Sequence, residues 1–113
     1  MMSRFILPFN LNEIQMSLIN LSNAAQKSTR PWSSSVIAKI GNANFKVLQM
    51  DETAYPNEKH SFAEVLLVVN GQLNLMIDHQ TIVVKTGEMY VVPPNTPHSV
   101  TSGSHGTLVI IDN

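Results

Sequence analysis

The sequence contains no cysteine and few charged residues. Without cysteine there is no disulfide scaffold, thiolate metal site or thiol nucleophile, and a reducing compartment suits such a chain. Lys, Arg, Asp and Glu make up 13% of the 113 residues, against about 25% in an average globular protein. The net charge is −1 and no block of basic residues is present, so nucleic acid is not predicted as a partner.

Long hydrophobic runs are also missing. No stretch approaches the roughly 20 apolar residues that span a bilayer, so the sequence predicts no membrane partner. Near the amino terminus, Phe5-Ile6-Leu7 is interrupted by Pro8 and Asn10, and this segment lacks the apolar core of a signal peptide. We therefore expect a cytoplasmic protein. The low net charge favours self-association, and a symmetric homodimer is the expected assembly.

Short runs of β-branched and apolar residues fill the chain from residue 33 onward. Turn residues separate the runs at regular intervals, which is typical of an all-β antiparallel sandwich or barrel. Asn70-Gly71 is the strongest hairpin signal, because this pair suits the positive φ angles of a type I′ turn. No helical pattern follows these runs, which argues against a parallel α/β fold. The predicted strands are 36–40, 44–50, 64–70, 73–78, 81–85, 88–92, 98–100 and 107–112.

The first thirty residues have a different pattern. Apolar residues at roughly helical spacing predict a short helix or an irregular arm. Thr29-Arg30-Pro31 marks a boundary, since the residue before a proline avoids the helical region. We predict an arm over 1–30, with 1–15 a loose extension if Met16 is the functional start, and a β domain over 31–113. The apolar residues of the arm are Leu11, Ile14, Leu18 and Leu21.

Three polar side chains stand out just before the predicted strand 64–70. Glu58, His60 and Glu64 have even spacing, so they point the same way if the segment is extended. A glutamate at the head of a buried strand is costly unless it is paired, hydrogen-bonded or bound to a cation. A solvated turn with a few charges explains the same residues equally well.

His98 is the other polar exception. It follows a segment, 93–97, with three prolines that each fix φ near about −65°, so the direction of the next strand is set firmly. Rigid placement suits a metal ligand, and it equally suits a tight turn with a structural histidine. His79, at a predicted hairpin tip, and His105, in a Ser/Gly-rich loop, are expected to be solvated.

The spacing of these residues resembles two motifs of the cupin family. HSFAEVLLVVNG (60–71) is similar to the second half of the first cupin motif: histidine, three residues, glutamate, six residues, glycine. GEMYVVPPNTPH (87–98) is similar to the second motif: glycine, five residues, proline, and a histidine five positions later. The resemblance covers about residues 31–112 and implies a small antiparallel β-barrel, the double-sheet jelly roll.

The resemblance also implies a metal site in the mouth of the barrel. Cupins usually hold a divalent metal with three histidines and one glutamate. His60, Glu64 and His98 match three of these four ligands. The implied cofactor is a divalent transition metal, namely Fe, Mn, Ni or Zn, and the implied partner is a small-molecule ligand.

The sequence departs from the family pattern at two positions. Glu58 stands where the first histidine is usual, and Asn95 stands where the second motif usually has glycine. Asn is tolerated there because it accepts positive φ. A second register, with four residues before the glutamate, puts Asn57 and Lys59 at the histidine positions, which moves His60 off the ligand face and removes the site.

Two kinds of function follow from the resemblance. In the first, the chain is a metal-dependent dioxygenase or isomerase that acts on a small organic acid or sugar. Glu58 is then a fourth ligand or a general base, and Tyr90, which alternation puts on the inward face with Val92, is an acid or an orienting group. In the second, the barrel binds or senses a small molecule without catalysis, or is a degenerate cupin without metal.

Overall fold

Strands dominate the computed structural model, which describes residues 18–113 and the backbone of residues 6 and 7. The helix is α1 (Leu21–Gln26), and the strands are β1 (Ile6–Leu7), β2 (Ser34–Ile40), β3 (Ala43–Met50), β4 (Tyr55–Glu58), β5 (Glu64–Ile77), β6 (Gln80–Lys85), β7 (Met89–Val92), β8 (His98–Val100) and β9 (His105–Asp112). The strands form one curled sheet in the order β1-β2-β3-β9-β5-β8-β4, with β6 and β7 also paired to β5, so the all-β prediction is confirmed.

β5 is one strand of 14 residues that belongs to both halves of the curled sheet. Its first half, from Glu64, pairs with β7 and β9, and its second half, ending at Ile77, pairs with β6 and β8. The predicted hairpin at Asn70-Gly71 is therefore wrong. Gly71 does have a positive φ of 92°, but it lies beside a register shift in the β5–β9 pairing, where a bulge bends the strand without reversing it.

Gly71 and Gly106 pair across β5 and β9, and they approach so closely that neither position has room for a side chain. A Cβ on Gly71 would collide with the carbonyl oxygen of His105, and one on Gly106 with that of Asn70. The chain reverses instead at Asp78-His79, where φ angles of 53° and 62° fit a type I′ turn between β5 and β6.

The inward faces of the strands form one hydrophobic cluster, because side chains alternate along each strand. α1 covers part of the outer face, where Ala25 packs with Val47 of β3 and Val109 of β9. The fully buried members of the inner cluster are Leu48, Leu66, Val68, Leu73, Leu75, Leu108 and Ile110.

The predicted helix is present over residues 21–26 of the amino-terminal arm. Asn20 caps it by accepting a hydrogen bond from the backbone N–H of Asn23. Residues 11–17, which carry half of the predicted helical pattern, lie outside the described residues, and the domain boundary at residue 30 stays a prediction. Among the described residues, no helix has the length and hydropathy needed to cross a bilayer.

Candidate metal centre

Glu64, His98 and His60 come together at one end of the curled sheet. Glu64 is the first residue of β5, His98 is the first of β8, and His60 lies between β4 and β5. His98 pairs with Ile77 at the far end of β5, so the bend in β5 brings the two ends of this strand towards each other. One nitrogen or oxygen atom from each of the three side chains lies within 4.8 Å of the other two.

His98 is fixed in one orientation by its backbone surroundings. Its side chain is 1% exposed, and its Nδ1 lies 2.8 Å from the carbonyl oxygen of Thr96. A carbonyl only accepts, so Nδ1 carries the proton and Nε2 is left as the atom that faces Glu64, 3.3 Å from Oε1. Such a hydrogen bond on one ring nitrogen is what orients a metal-ligating histidine.

His60 approaches the same carboxylate from the other side. Its Nε2 lies 4.0 Å from Glu64 Oε2, and its ring stacks on Phe62 with 5.1 Å between centroids. The carbonyl oxygen of His60 accepts a hydrogen bond of 2.6 Å from the backbone N–H of Asn95. Asn95 has φ 57°, which confirms that Asn takes the positive φ at this position and links the two motif segments.

Glu58 lies beside this group of three. It ends β4 directly opposite His98 of β8, and its Oε2 is 3.6 Å from His60 Nε2. Its side chain is 23% exposed, against 2% for Glu64, so water reaches Glu58 more easily than Glu64. Its predicted role as a fourth ligand or a base stays a prediction. The alternative register put Asn57 and Lys59 at the histidine positions, but both residues are exposed, and it is His60 that lies close to Glu64 and His98.

The donor set fits a divalent metal ion. His60 Nε2 and His98 Nε2 are buried and, within the described residues, have no hydrogen-bond partner. Two neighbouring ligand atoms of one ion, each at about 2.1 Å, lie about 3.0–3.4 Å apart, so the separation of 3.3 Å between His98 Nε2 and Glu64 Oε1 already suits a shared ion. His60 Nε2, 4.0 Å from Glu64 Oε2, would have to move closer on binding.

Tyr90 and Val92 share the inward face, as alternation predicts. Val92 is 2% exposed in the inner cluster, and Tyr90, opposite Leu66 in the β5–β7 pairing, packs against that cluster. The role of Tyr90 as an acid or orienting group stays a prediction. His79 and His105 are both exposed.

Sequence reasoning overlooked two polar residues of the inward face and the strand β4. Lys46 and Asp112 form a buried ion pair of 2.7 Å. Lys46 is two residues from Leu48, and Asp112 is two residues from Ile110, so both point to the inward face of the sheet. Alternation along each strand could have predicted this orientation, but not that the two residues pair with each other. β4 contains a proline and two exposed residues, so its composition gave no strand signal.

A cleft of about 710 Å³ lies beside the group, on the outer side of β8. The β5–β6 turn and the β7–β8 loop form two of its walls. Thr96, whose carbonyl oxygen orients His98, belongs to the lining. The lining residues are Asn57, Met76, Ile77, Asp78, His79, Asn95, Thr96, Pro97 and Ser99.

Comparison with known proteins agrees with this architecture. A cupin-domain family model matches residues 45–112. A cupin-2 domain protein from Shewanella frigidimarina superposes with a TM-score of 0.76 at 25% identity, over 90% of this chain and 97% of that one. Protein NMB1881 from Neisseria meningitidis gives 0.73 at 25% identity, over 85% and 98%. TT1209 from Thermus thermophilus shares the fold, with a TM-score of 0.70 at 15% identity, over 86% and 96%.

No curated protein matches the sequence at a significant level. The family model nevertheless covers more than half of the chain, and the double motif, the curled sheet and the solved structures agree with it. The chain belongs to the cupin family.

Proposed function

We propose that this cupin binds one divalent transition metal ion through His60, Glu64 and His98, and that the remaining coordination positions take a small organic ligand. One observation carries the proposal: two buried imidazole nitrogens converge on one buried carboxylate, and neither nitrogen has a hydrogen-bond partner within the described residues. An unmade hydrogen bond at a buried polar atom costs about 1–3 kcal/mol, which coordination of a metal would offset.

The ligand set indicates the class of chemistry. Two histidines and one carboxylate are the composition of the facial triad of non-haem iron enzymes, which leaves open positions for substrate and O₂. We therefore propose a dioxygenase or an isomerase of a small organic acid or sugar, with Fe or Mn preferred over Ni or Zn. A bound ion supplies Lewis-acid or redox chemistry, and with a single carboxylate ligand the site has a net charge of +1, which attracts anions.

The other side chains would position the ligand. The carbonyl oxygen of Thr96 holds the ring of His98, so that the lone pair of Nε2 would be free to bind the ion. Phe62 stacks on His60 and limits the rotation of that ring. We propose Glu58, whose Oε2 lies 3.6 Å from His60 Nε2, as a base or a fourth ligand. Tyr90, which packs against the inner cluster, is proposed as an acid or orienting group.

A second candidate function is supported by Glu58, which replaces the usual histidine. If Glu58 also binds the ion, two carboxylates neutralise it and the attraction for an anionic substrate weakens. The barrel would then hold a small molecule for binding or sensing without turnover. Turnover of a candidate substrate in the metal-loaded protein, abolished by His98→Ala, separates the first function from the second.

Metal loading tests the proposal directly. Protein purified without chelator and reloaded with Fe²⁺ or Co²⁺ under anaerobic conditions is expected to hold one ion per chain by elemental analysis. His98→Ala and Glu64→Gln are expected to lose it. His105→Ala is the matched control, since it removes an exposed histidine elsewhere and should leave loading unchanged.

The milder His60→Asn variant covers the case in which His98→Ala does not fold, because His60 is partly exposed. It is expected to fold and to bind metal more weakly. A wild-type chain that takes up no stoichiometric metal, even after reloading, would refute the proposed function. The homodimer expected from the low net charge is likewise a proposal, and sedimentation velocity tests it.

A further inference from the structure

The cleft beside the candidate metal centre lies on the outer face of the sheet. Met76 and Ser99 of its lining pair across β5 and β8. Both point outward, because their neighbours Leu75 and Val100 are buried in the inner cluster and side chains alternate along a strand. The ring of His98 is buried on the inward side of β8. This strand therefore separates the cleft from the candidate metal centre, and the two are different sites.

Short connections with restricted backbones frame the cleft. One is the β5–β6 turn, where Asp78 and His79 take φ angles of 53° and 62°. The other is the β7–β8 loop, in which Pro97 has a fixed φ and the Asn95 N–H donates to the carbonyl oxygen of His60 at 2.6 Å. The cleft is thus largely pre-formed, and its volume of about 710 Å³ is within the range of about 300–1,000 Å³ found for small-molecule sites.

Polar side chains dominate the lining, and most of them have unused hydrogen-bonding groups. Six of the nine lining residues are polar, whereas Met76, Ile77 and Pro97 supply apolar surface. Within the described part of the chain, five of the polar side chains make no hydrogen bond to protein. These five are Asn57, Asp78, His79, Asn95 and Ser99. Their donors and acceptors are available to a ligand in the cleft.

The charges of the lining select the class of ligand. The part of the lining that the described residues form has one carboxylate, that of Asp78, and neither lysine nor arginine. Phosphates and carboxylates are usually held by lysine or arginine, so an anion does not suit this cleft. A divalent cation such as Ca²⁺ needs six to eight oxygen ligands, most of them from several acidic side chains, so a metal ion does not suit it either.

We propose that this cleft is a second ligand site, which binds a neutral polyhydroxy compound of mono- or disaccharide size. A hydroxyl group both donates and accepts, so it matches a lining of carboxylate, amide and hydroxyl groups. The Asp78 carboxylate accepts from the ligand, the amides of Asn57 and Asn95 donate and accept, and Met76 and Pro97 contact its C–H groups. The site lies on the other face of β8 from His98, so it goes beyond the proposed function and does not depend on a bound metal.

The experiment follows the backbone amides of ¹⁵N-labelled protein by NMR, in metal-free and in Zn²⁺-loaded form. Glucose and maltose are the probes, and inorganic phosphate and cyclohexanol are the anionic and apolar controls. Both sugars are expected to shift the amide signals of Asn57, His79 and Ser99 until the site is saturated, with the same dissociation constants in the two forms. Phosphate and cyclohexanol are expected to cause no saturable shift of these signals.

Two variants test the lining. Asp78→Asn keeps the turn, because Asn also accepts a positive φ. It is expected to bind both sugars about fivefold or more weakly, since a neutral acceptor replaces a charged one. Asn57→Ala removes an exposed amide and is expected to weaken binding by about threefold. Glu52→Gln is the matched control for Asp78→Asn, because Glu52 is an exposed carboxylate outside the lining, and it should keep the wild-type affinity.

The outcomes keep this proposal apart from the proposed function. Sugars that cause no saturable shift at the cleft, or that bind Asp78→Asn and Asn57→Ala as tightly as the wild type, would overturn the second site. Tighter binding of phosphate or cyclohexanol than of either sugar would overturn the class of ligand. A chain that loads no metal refutes the proposed function alone, since the titration of metal-free protein still measures the cleft.

Discussion

The two ends of the barrel treat their polar side chains in opposite ways. At the end away from the candidate metal centre, Asp51 is half-buried and accepts hydrogen bonds from Trp32 Nε1 at 2.8 Å and from the Thr53 N–H at 2.9 Å. At the mouth, His60 Nε2 and His98 Nε2 are buried without a hydrogen-bond partner among the described residues. A polar group whose hydrogen bonds are made serves the fold, whereas a buried atom without one calls for an explanation, such as the binding of an ion.

Contacts also hold the backbone at the end of the barrel away from the candidate metal centre. Trp32 takes φ 66°, an unusual angle for a bulky residue, and its N–H donates to the carbonyl oxygen of Gln49. Its ring contacts Tyr55 with 5.7 Å between centroids. The surrounding contacts over-determine this conformation, which is how a strained backbone persists. Contacts thus hold the far end in place, whereas the mouth leaves two buried ring nitrogens without a hydrogen bond among the described residues.

The sharpest test of rigidity at the far end is Gly106→Ala. The new Cβ would collide with the backbone of Asn70 while φ stays at 99°, so we expect a loss of at least about 3 kcal/mol in the free energy of unfolding, or failure to fold. Gly41→Ala is the control, since Gly41 has φ 59° but open space around it, and about 1 kcal/mol is expected. Urea denaturation measures the unfolding free energy of both variants. Equal losses would show that the close approach of Gly106 to Gly71 does not exclude a side chain.

Asp51→Ala is expected to have the next largest effect. It removes the acceptor of two hydrogen bonds, from the indole N–H of Trp32 and the backbone N–H of Thr53, which costs about 1–2 kcal/mol of unfolding free energy because both bonds are only partly shielded from water. Metal uptake should be unchanged, because Asp51 belongs to the opposite end. Parallel measurement of the urea midpoint and of bound metal checks this separation, and a loss of metal would show that the two ends are coupled.

A pH titration tests the same residue with a smaller change. Burial raises the pKa of Asp51, but hydrogen bonds from the Thr53 backbone, Trp32 and the Thr53 hydroxyl outweigh it and hold the pKa below its ordinary value. The lowered pKa stabilises the folded state above the unfolded pKa of about 3.9, and this contribution is lost as the pH falls through the folded pKa. The wild type should therefore lose more stability than Asp51→Asn between pH 5 and strongly acidic pH, as seen in denaturation midpoints.

The smallest change in stability is expected at the mouth, from His60→Asn in metal-free protein. The replaced ring nitrogen has no hydrogen bond to lose, so the unfolding free energy should change by only about 0.5 kcal/mol. In the presence of Co²⁺ the variant should show a smaller rise in Tm than the wild type, because weaker binding stabilises less by mass action. Equal rises would remove His60 from the ligand set.

Much of the fold follows from local sequence, and the exceptions have identifiable causes. Alternation and turn residues correctly predicted most strands, and motif spacing selected the three residues that converge at the mouth. Asn70-Gly71 misled because a bulge and a hairpin both use positive φ, and only the distant Gly106 decides between them. Lys46 could be recognised from the sequence as a charged residue on the apolar side of its strand, but its partner Asp112 is 66 residues away in sequence.

The order of the strands has a consequence for how the molecule assembles. β9 lies between β3 and β5, so these two strands are joined in the sheet only after β9 has inserted. Residues near the carboxyl end emerge last during synthesis, and pairings of long sequence separation form slowly. Glu64 of β5 and Lys46 of β3 therefore become neighbours in the sheet late, when β9 has emerged and inserted between their strands.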